Sequence, residues 1–407
     1  MKKELLVRGC TFAAICLSVI ALMFLLGSNY ADSAEMRGVT KDTIKIGLIL
    51  DQTGPSTFLT VPITKGAKMY LTHVNEQGGI NGRKIKLIIE DDHYSVPIAV
   101  AAFKKLVSKD GVLAILGTGG TSMTKALWSK IEKERVPCFT VSLAEIQVNP
   151  TKRYLFTPVA SYEDEIKIIF NYLMNVLKVK NPRIAMACLD LDYGKIGFAA
   201  AEKEAKSFGL KIVDKELVAL GALEASTQVL GLKRAQADYV ILHLEPAAGA
   251  AVLRDAFKLG FKTQWIGTYY TTSEDLLRVS RKAAEGFIGV HSYNSWYEDA
   301  PAMAELRKIT LKYEPGTEKP YRPKYYVQGW VDALILSEGM RRAGQNLTPE
   351  ALVEGIESIK NFDTKGLCGP ITYGPDKHKG NEYCRFYKAD TDNAILIPIT
   401  DWMKPSE

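Results

Sequence analysis

Histidine is scarce in this 407-residue chain, which has five: His73, His93, His243, His291 and His378. No two of them sit one helical turn apart and none joins a cysteine cluster, so no dedicated metal site is expected. The strand-end cluster Glu90-Asp91-Asp92-His93 reads as a loop or cleft-edge feature. A Gly-x-Ser-x-Gly elbow and a phosphate-loop lysine motif are both missing, which removes two common enzymatic signatures. The net charge of +6 is mild, and no basic stripe is interleaved with aromatics, so nucleic acid is not an expected partner. Beyond residue 34 no apolar run is long enough to span a bilayer.

What is present is the composition of a soluble globular protein, with 47% hydrophobic and 24% charged residues. The length favours two domains of ordinary size, and a core of that size folds without metal or disulfide. At the N-terminus, Lys2, Lys3 and Arg8 precede an apolar run from Thr11 to Leu26 and a small, polar exit ending at Ala34. That order is a secretory signal peptide, assigned to residues 1–34. Asp32 makes the cleavage motif imperfect and leaves an uncleaved membrane anchor as the alternative. A lipid anchor at Cys10 fits poorly, because the apolar run follows that cysteine.

Four cysteines remain after the leader: Cys138, Cys188, Cys368 and Cys384. Export permits oxidation. Cys368 and Cys384 flank the Gly/Pro-rich stretch Gly369–Pro375, where a bridge would be worth about 3 kcal/mol in the chain-entropy model. Cys138 and Cys188 sit in short apolar runs and read as buried thiols.

Strand and helix signals alternate along the chain. Ile44–Leu50 is β-rich, and Pro62 suits a first helical turn followed by Ile63, Ala67, Leu71 and Val74 at helical spacing. Gly78-Gly79 ends that helix and Asn81-Gly82 turns into the strand Lys84–Glu90. Further strands are expected at Val112–Leu116, Val136–Val141, Arg183–Cys188, Lys211–Val218, Tyr239–His243 and Gln264–Ile266, with helices between them. Two such runs imply an α/β protein of two similar lobes, each a parallel sheet covered by helices on both faces. After Gly286–Val290 three helical stretches follow: Met303–Tyr313, Tyr326–Ala343 and Pro349–Ile359. They must pack back onto lobes already built.

The first site candidate is Gly117-Thr118-Gly119-Gly120-Thr121-Ser122, after a strand and opening a helix. A third glycine at dinucleotide-fingerprint spacing is missing, so an NAD-type enzyme is a weak alternative, and export argues against it. Free N–H groups at a helix start attract an anion, and the hydroxyls of Thr121 and Ser122 add donors. The plainer alternative is that these hydroxyls only cap the helix.

Several segments together resemble the leucine/isoleucine/valine-binding family of periplasmic solute-binding proteins of ABC transporters. They are Ile44–Pro55, the run Val74-Asn-Glu-Gln-Gly-Gly-Ile-Asn-Gly-Arg-Lys-Ile85 followed by Glu90-Asp91-Asp92, then Asp192-Tyr193-Gly194-Lys195, Gly260–Lys262 through Trp265–Gly267, and Gly369–Tyr373 with Asp376–His378. The resemblance implies two Rossmann-like lobes joined by three crossing strands near Pro158–Tyr162, Glu285–His291 and Asn381–Arg385, with ligand bound in the cleft by hinge closure. The expected limits are 43–158 with 286–381 for lobe 1, and 159–285 with 382–407 for lobe 2.

The resemblance also implies site residues. Thr121 would hold a ligand carboxylate with Gly120 and Ser122, and Ser142, Leu143 and Ala144 would complete the cradle, although Ala144 stands where the family often has threonine. Tyr193 would cover the ligand. Tyr269 replaces the carboxylate that pairs with an amino-acid ammonium group, and Glu245 is the available substitute. Phe58, followed by Leu59, takes the place of an aromatic near the opening loop. Tyr94 and Gly120 occupy the positions of the family's usual lobe-1 disulfide. The expected protein is a monomeric, exported, non-enzymatic binder without cofactor, serving the membrane permease of an ABC importer. Its expected solute is small and carboxylate-bearing or amide-type, with an apolar or aromatic body. A free sensing protein of the same fold is the alternative.

Overall fold

Twelve strands fall into two sheets in the computed structural model, which describes residues 36–315 and 321–405. The first sheet has the order β2-β1-β3-β4-β5, from β1 (Thr43–Ile49), β2 (Lys84–Glu90), β3 (Ala114–Thr118), β4 (Cys138–Phe139) and β5 (Leu155–Phe156). All its pairings are parallel. Helices α1 (Thr57–Glu76), α2 (Val96–Lys104) and α3 (Thr121–Glu134) make the crossovers. The strands are short and apolar because helices cover both faces: every residue of β3 is buried.

The second sheet has the order β12-β11-β10-β9-β8-β6-β7. Its strands are β6 (Ile184–Leu189), β7 (Ile212–Val218), β8 (Tyr239–His243), β9 (Gln264–Gly267), β10 (Ile288–His291), β11 (Arg385–Asp390) and β12 (Ile395–Pro398). β6 to β10 pair in parallel, whereas β11 and β12 form an antiparallel edge. Between the strands lie α4 (Tyr162–Asn171), α5 (Asp192–Ser207), α6 (Ser226–Arg234), α7 (Pro246–Lys258) and α8 (Glu274–Ser280). Ile166, Ile169, Phe170, Met186, Ile241 and Phe386 form part of its core. The chain then returns through α9 (Pro301–Tyr313), α10 (Lys324–Ala343) and α11 (Pro349–Glu357). Tyr70 of α1 meets Trp330 of α10 edge-on at 5.2 Å, which places the returning helices on the first sheet's side.

The two lobes are thus the two expected α/β layers, and residues Arg37–Glu407 hold together as one compact unit. The limits 43–158 with 286–381 and 159–285 with 382–407 remain our proposed division. β10 pairs with β9 and β11, so the proposed middle limit moves to just after His291.

Local chemistry also moves other boundaries. α1 begins at Thr57, so Pro62 lies inside it, not in its first turn. The Asp51 carboxylate collects the N–H groups of Thr53, Gly54 and Ser56, and Thr60 Oγ1 donates to the Asp51 carbonyl, which starts the helix early. α4 begins at a capping box in which Ser161 and Asp164 exchange side-chain-to-backbone bonds. Cys368 and Cys384, candidates for a bridge, are free and buried, as are Cys138 and Cys188. Cys384 Sγ lies 3.2 Å from Ser292 Oγ, and Thr364 Oγ1 holds the Cys368 backbone, donating to its carbonyl and accepting its N–H. The leader, residues 1–34, lies outside the described residues. Among those described, no helix is long and apolar enough to cross a membrane.

Candidate functional site

The carboxyl ends of the parallel strands from both sheets converge on one cavity. This is where open α/β sheets place ligands, because the loops there leave a crevice unfilled by crossover helices. From the first lobe come Ser56, Leu59 and Thr60 after β1, Tyr94 after β2, Gly120 and Thr121 after β3, and Val141 after β4. From the second come Tyr162 opening α4, Leu189 ending β6, Tyr193 on α5, Leu220 after β7, Glu245 after β8 and Tyr270 after β9.

The first-lobe wall is built around the start of α3. Gly120 precedes it with φ +60 and offers no side-chain cap, so the helix's opening N–H groups stay available. A Cβ at Gly120 would stand 2.2 Å from Met123 Cε and 3.0 Å from the Tyr94 ring. Tyr94 and Gly120 therefore do meet, at the place where the family resemblance puts a disulfide. Thr121 Oγ1 lies 3.0 Å from Ser142 Oγ, and both residues are buried.

The second-lobe wall is aromatic. Tyr162 packs edge-on against Tyr193 at 5.0 Å, and Tyr193 stacks on His243 at 3.8 Å. Burial pushes the phenols of Tyr162, Tyr193 and Tyr270 far above their ordinary range. Burial pulls His243 down to about 3, so its imidazole is neutral. Among the described residues, Tyr193 OH is buried without a hydrogen-bond partner. Tyr270 OH donates to the Val141 carbonyl across the cleft, and Ser122 Oγ donates to Asp192 Oδ2 at 3.3 Å. These bonds join the two walls.

Among the described residues the wall contains no Lys, Arg or His, and its one carboxylate is Glu245. That carboxylate caps α7: it accepts from Ala247 N, from Ala248 N at 2.8 Å and from Gly221 N at 3.1 Å. Burial raises its pKa, and these three N–H bonds oppose the rise.

Of the residues expected from sequence, Gly120, Thr121, Tyr193 and Glu245 line this cavity. Ser142, Leu143 and Ala144 stand one layer behind it. Ser142 supports Thr121, the Leu143 carbonyl accepts the Tyr162 N–H at 3.0 Å, and the Ala144 carbonyl accepts Gln147 N–H at 2.9 Å. Ser122 turns to the interlobe bond described above. Phe58 is half-buried outside the wall, which its neighbour Leu59 joins. Tyr269 also lies outside: its OH donates to Gln328 Oε1 at 2.9 Å and its ring stacks on His291 at 4.2 Å. Tyr270 faces the cavity instead. Sequence reasoning had not placed Tyr94, Tyr162 or Tyr270 in the wall. The Ser161–Asp164 capping box was a legible signal that Tyr162 opens a helix next to the crossing.

The profile of periplasmic binding proteins matches residues 43–394. The chain belongs to that family. It is 26% identical over 263 residues to the Leu/Ile/Val/Thr-binding protein of Salmonella typhimurium, covering 64% of this chain and 70% of that relative. It is 22% identical over 324 residues to the leucine-, isoleucine-, valine-, threonine-, and alanine-binding protein of Pseudomonas aeruginosa, covering 79% and 84%. In structure it resembles a branched chain amino acid ABC transporter protein from Thermus thermophilus with bound valine (TM-score 0.83, 24% identity, covering 90% and 97%). It also resembles a fatty acid ABC transporter substrate-binding protein from Thermomonospora curvata (TM-score 0.80, 23% identity, covering 91% and 94%). The protein is thus a solute-binding protein of the periplasmic type and not an enzyme. Its family is that of periplasmic proteins that bind small molecules.

Proposed function

We propose that this protein is an exported, monomeric receptor that captures a small carboxylate-bearing or amide-type solute with an apolar or aromatic body and delivers it to an importer's permease. The observation that carries the reading is the division of the cavity. Hydroxyls and an uncapped helix start stand at Gly120–Thr121, and tyrosines and leucines surround the rest. The helix start and the hydroxyls suit an acceptor group. Glu245, the carboxylate that an ammonium group would seek, already accepts three backbone N–H groups. Tyr269 is neutral and lies outside the wall. Valine and a fatty acid, the ligands named for two structural neighbours, share an apolar chain and a carboxylate, and valine adds the ammonium group for which this wall offers only Glu245. Capture proceeds by closure of the lobes, with Tyr270–Val141 and Ser122–Asp192 as the contacts made on closing.

Calorimetry tests this with leucine, isoleucine, 4-methylpentanoate (leucine without its amino group), phenylacetate and the matching primary amides. The expected result is tighter binding of the des-amino acids or amides than of leucine. Tight binding of leucine or isoleucine with the des-amino compounds silent overturns the reading.

A further inference from the structure

Thr121 belongs to two spaces at once. It lines the inner cavity and also an outer recess of about 1000 Å³ between α3 and α5, whose wall includes Trp128 and Gln147. A continuous line of hydrogen bonds runs between the two. Trp128 Nε1 donates to Gln147 Oε1, Gln147 Nε2 donates to Ser142 Oγ at 3.0 Å, and Ser142 Oγ lies 3.0 Å from Thr121 Oγ1. Tyr162 lines the same cavity as Thr121, and the hydroxyls of Thr121 and Ser142 oppose the rise that burial gives its phenol. Gln147 is fully buried and Ser142 and Thr121 nearly so, so water does not compete along this line.

The chemistry of the first link fixes the direction of the rest. An indole N–H can only donate, so the glutamine end facing Trp128 must be the carbonyl oxygen. The other end, facing Ser142, is then the NH₂ group, which can only donate. Ser142 Oγ therefore receives a bond, and its own hydrogen must pass on to Thr121 or Tyr162. A hydroxyl carries one hydrogen, so each link in the chain uses one. In an open chain of Ser142, Thr121 and Tyr162 one O–H is left over, and Thr121 and Tyr162 both border the cavity; a closed ring in which Tyr162 donates back to Ser142 would use all three, and an acceptor in the cavity opens it. The reverse polarity would strand a buried donor against the Gln147 NH₂, at a cost of about 1–3 kcal/mol.

We infer that Trp128 and Gln147 are positioning residues of the binding site: they orient the hydroxyls so that an O–H donor points into the cavity, which admits a hydrogen-bond acceptor and discriminates against a donor at that end. This rests on the proposed reading that Thr121 meets the solute, and it adds residues that do not touch the inner cavity.

The experiment uses 4-methylpentanoate, with its methyl ester and primary amide as a neutral pair, on the full-length protein. Thr121→Val tests the underlying reading, and an affinity loss of about tenfold is expected. Gln147→Leu and Trp128→Phe are expected to weaken 4-methylpentanoate about threefold and to lower the thermal midpoint by no more than a few degrees, the cost of one lost buried partner. Gln147→Glu offers only acceptors to Trp128 and Ser142, so it reverses the chain and presents lone pairs to the cavity. It should weaken the ester, which only accepts, about tenfold more than the amide, which can turn its NH₂ inward. Because ester and amide are both neutral, that ratio does not respond to the charge of the new glutamate. Without any solute, deuterium exchange at the Trp128 indole N–H should be slow in the parent and fast in Gln147→Leu.

If Thr121→Val weakens binding but the Trp128 and Gln147 variants stay within twofold, the inference is overturned and the reading stands. If Thr121→Val leaves binding unchanged, the reading itself fails. An unchanged ester-to-amide ratio in Gln147→Glu, or equal indole exchange rates, also overturns the inference.

Discussion

The two walls of the cleft work by different physics. The first-lobe wall meets the cavity with a helix start and hydroxyls whose directions are fixed by partners behind them. The second-lobe wall meets it with tyrosine rings and leucines, and its single carboxylate is occupied as a helix cap. On the proposed reading, one wall selects for a type of hydrogen-bonding group and the other for shape and apolar area. An aromatic wall tolerates different bodies, because ring contacts depend little on the partner's identity. A directed hydroxyl chain is less tolerant, since reversing it leaves buried donors unpaired. Solute variety within such a family can then arise on the second lobe while the first keeps its acceptor-binding role.

The largest effect expected on this contrast comes from Gly194, which follows Tyr193 on α5. A Cβ there would stand 1.9 Å from the Leu189 carbonyl oxygen at the end of β6. Backbone cannot yield as a side-chain tip can. Gly194→Ala should therefore cost about 3 kcal/mol in urea unfolding and lower solute affinity at least tenfold by displacing Tyr193 and Leu189 together. Retained affinity would show that the aromatic wall contributes little, and would break the comparison from the second-lobe side.

Next in size is Asp92, buried at the end of β2 behind the first-lobe wall. Its Oδ1 accepts the Tyr94 N–H at 2.9 Å, and its Oδ2 has no partner. Burial raises its pKa from 3.8 to about 6, with Asp51 and Asp91 adding to the rise. A carboxyl raised in this way contributes stability that is complete below the unfolded value near 3.8 and is lost as pH climbs through about 6. Asp92→Asn should therefore stabilise the protein at pH 8, by up to about 3 kcal/mol, and leave it unchanged at pH 4. Denaturant titration at both pH values checks this. A variant less stable at pH 8 would show that the ionised carboxylate is needed by the cradle.

Much of the fold was legible, and the reason is periodicity. The expected strands Lys84–Glu90 and Tyr239–His243 stand where the structure has them, because short apolar runs between turn residues admit little else. The glycine-rich segment before Thr121 was legible as a tight strand-to-helix turn that exposes backbone N–H groups, and Gly120 and Thr121 do line the cavity. Tyr270 rather than Tyr269 was not legible. Which of two adjacent rings faces the cavity depends on the turn after β9, where Thr271 N donates to the Thr268 carbonyl at 3.1 Å and Thr271 Oγ1 donates to the Leu242 and Leu244 carbonyls. Gln147 was also out of reach. Its partners Trp128 and Ser142 come from a helix and a separate loop, so no spacing in the chain announces the contact.

A smaller effect is expected at Glu245. Gln in its place keeps one acceptor oxygen but loses the charge at the start of α7, so Glu245→Gln should cost about 1 kcal/mol of stability. Removing a negative charge from the wall should leave 4-methylpentanoate affinity unchanged or higher. If leucine binds the parent and is lost in this variant, Glu245 is an ammonium partner despite its three N–H bonds, and the second wall reads charge as well as shape.

The smallest and most discriminating contrast is between neighbouring tyrosines. Tyr270 OH bridges the lobes to the Val141 carbonyl, whereas Tyr269 OH is spent on Gln328 inside the protein. Each phenylalanine removes one hydrogen bond and almost no volume, so each costs about 1 kcal/mol. The cost should fall on different equilibria. Tyr270→Phe loses a bond made when the lobes meet, so it should weaken solute binding by roughly threefold to fivefold with the thermal midpoint nearly unmoved. Tyr269→Phe leaves Gln328 Oε1 without its donor in the fold itself, so it should lower the midpoint by a few degrees and leave affinity alone. Calorimetry and thermal melts on both variants separate the two. The opposite pattern, affinity lost at Tyr269 and stability lost at Tyr270, would return Tyr269 to the role implied by its place in the sequence and move the selecting surface of the second lobe one residue back.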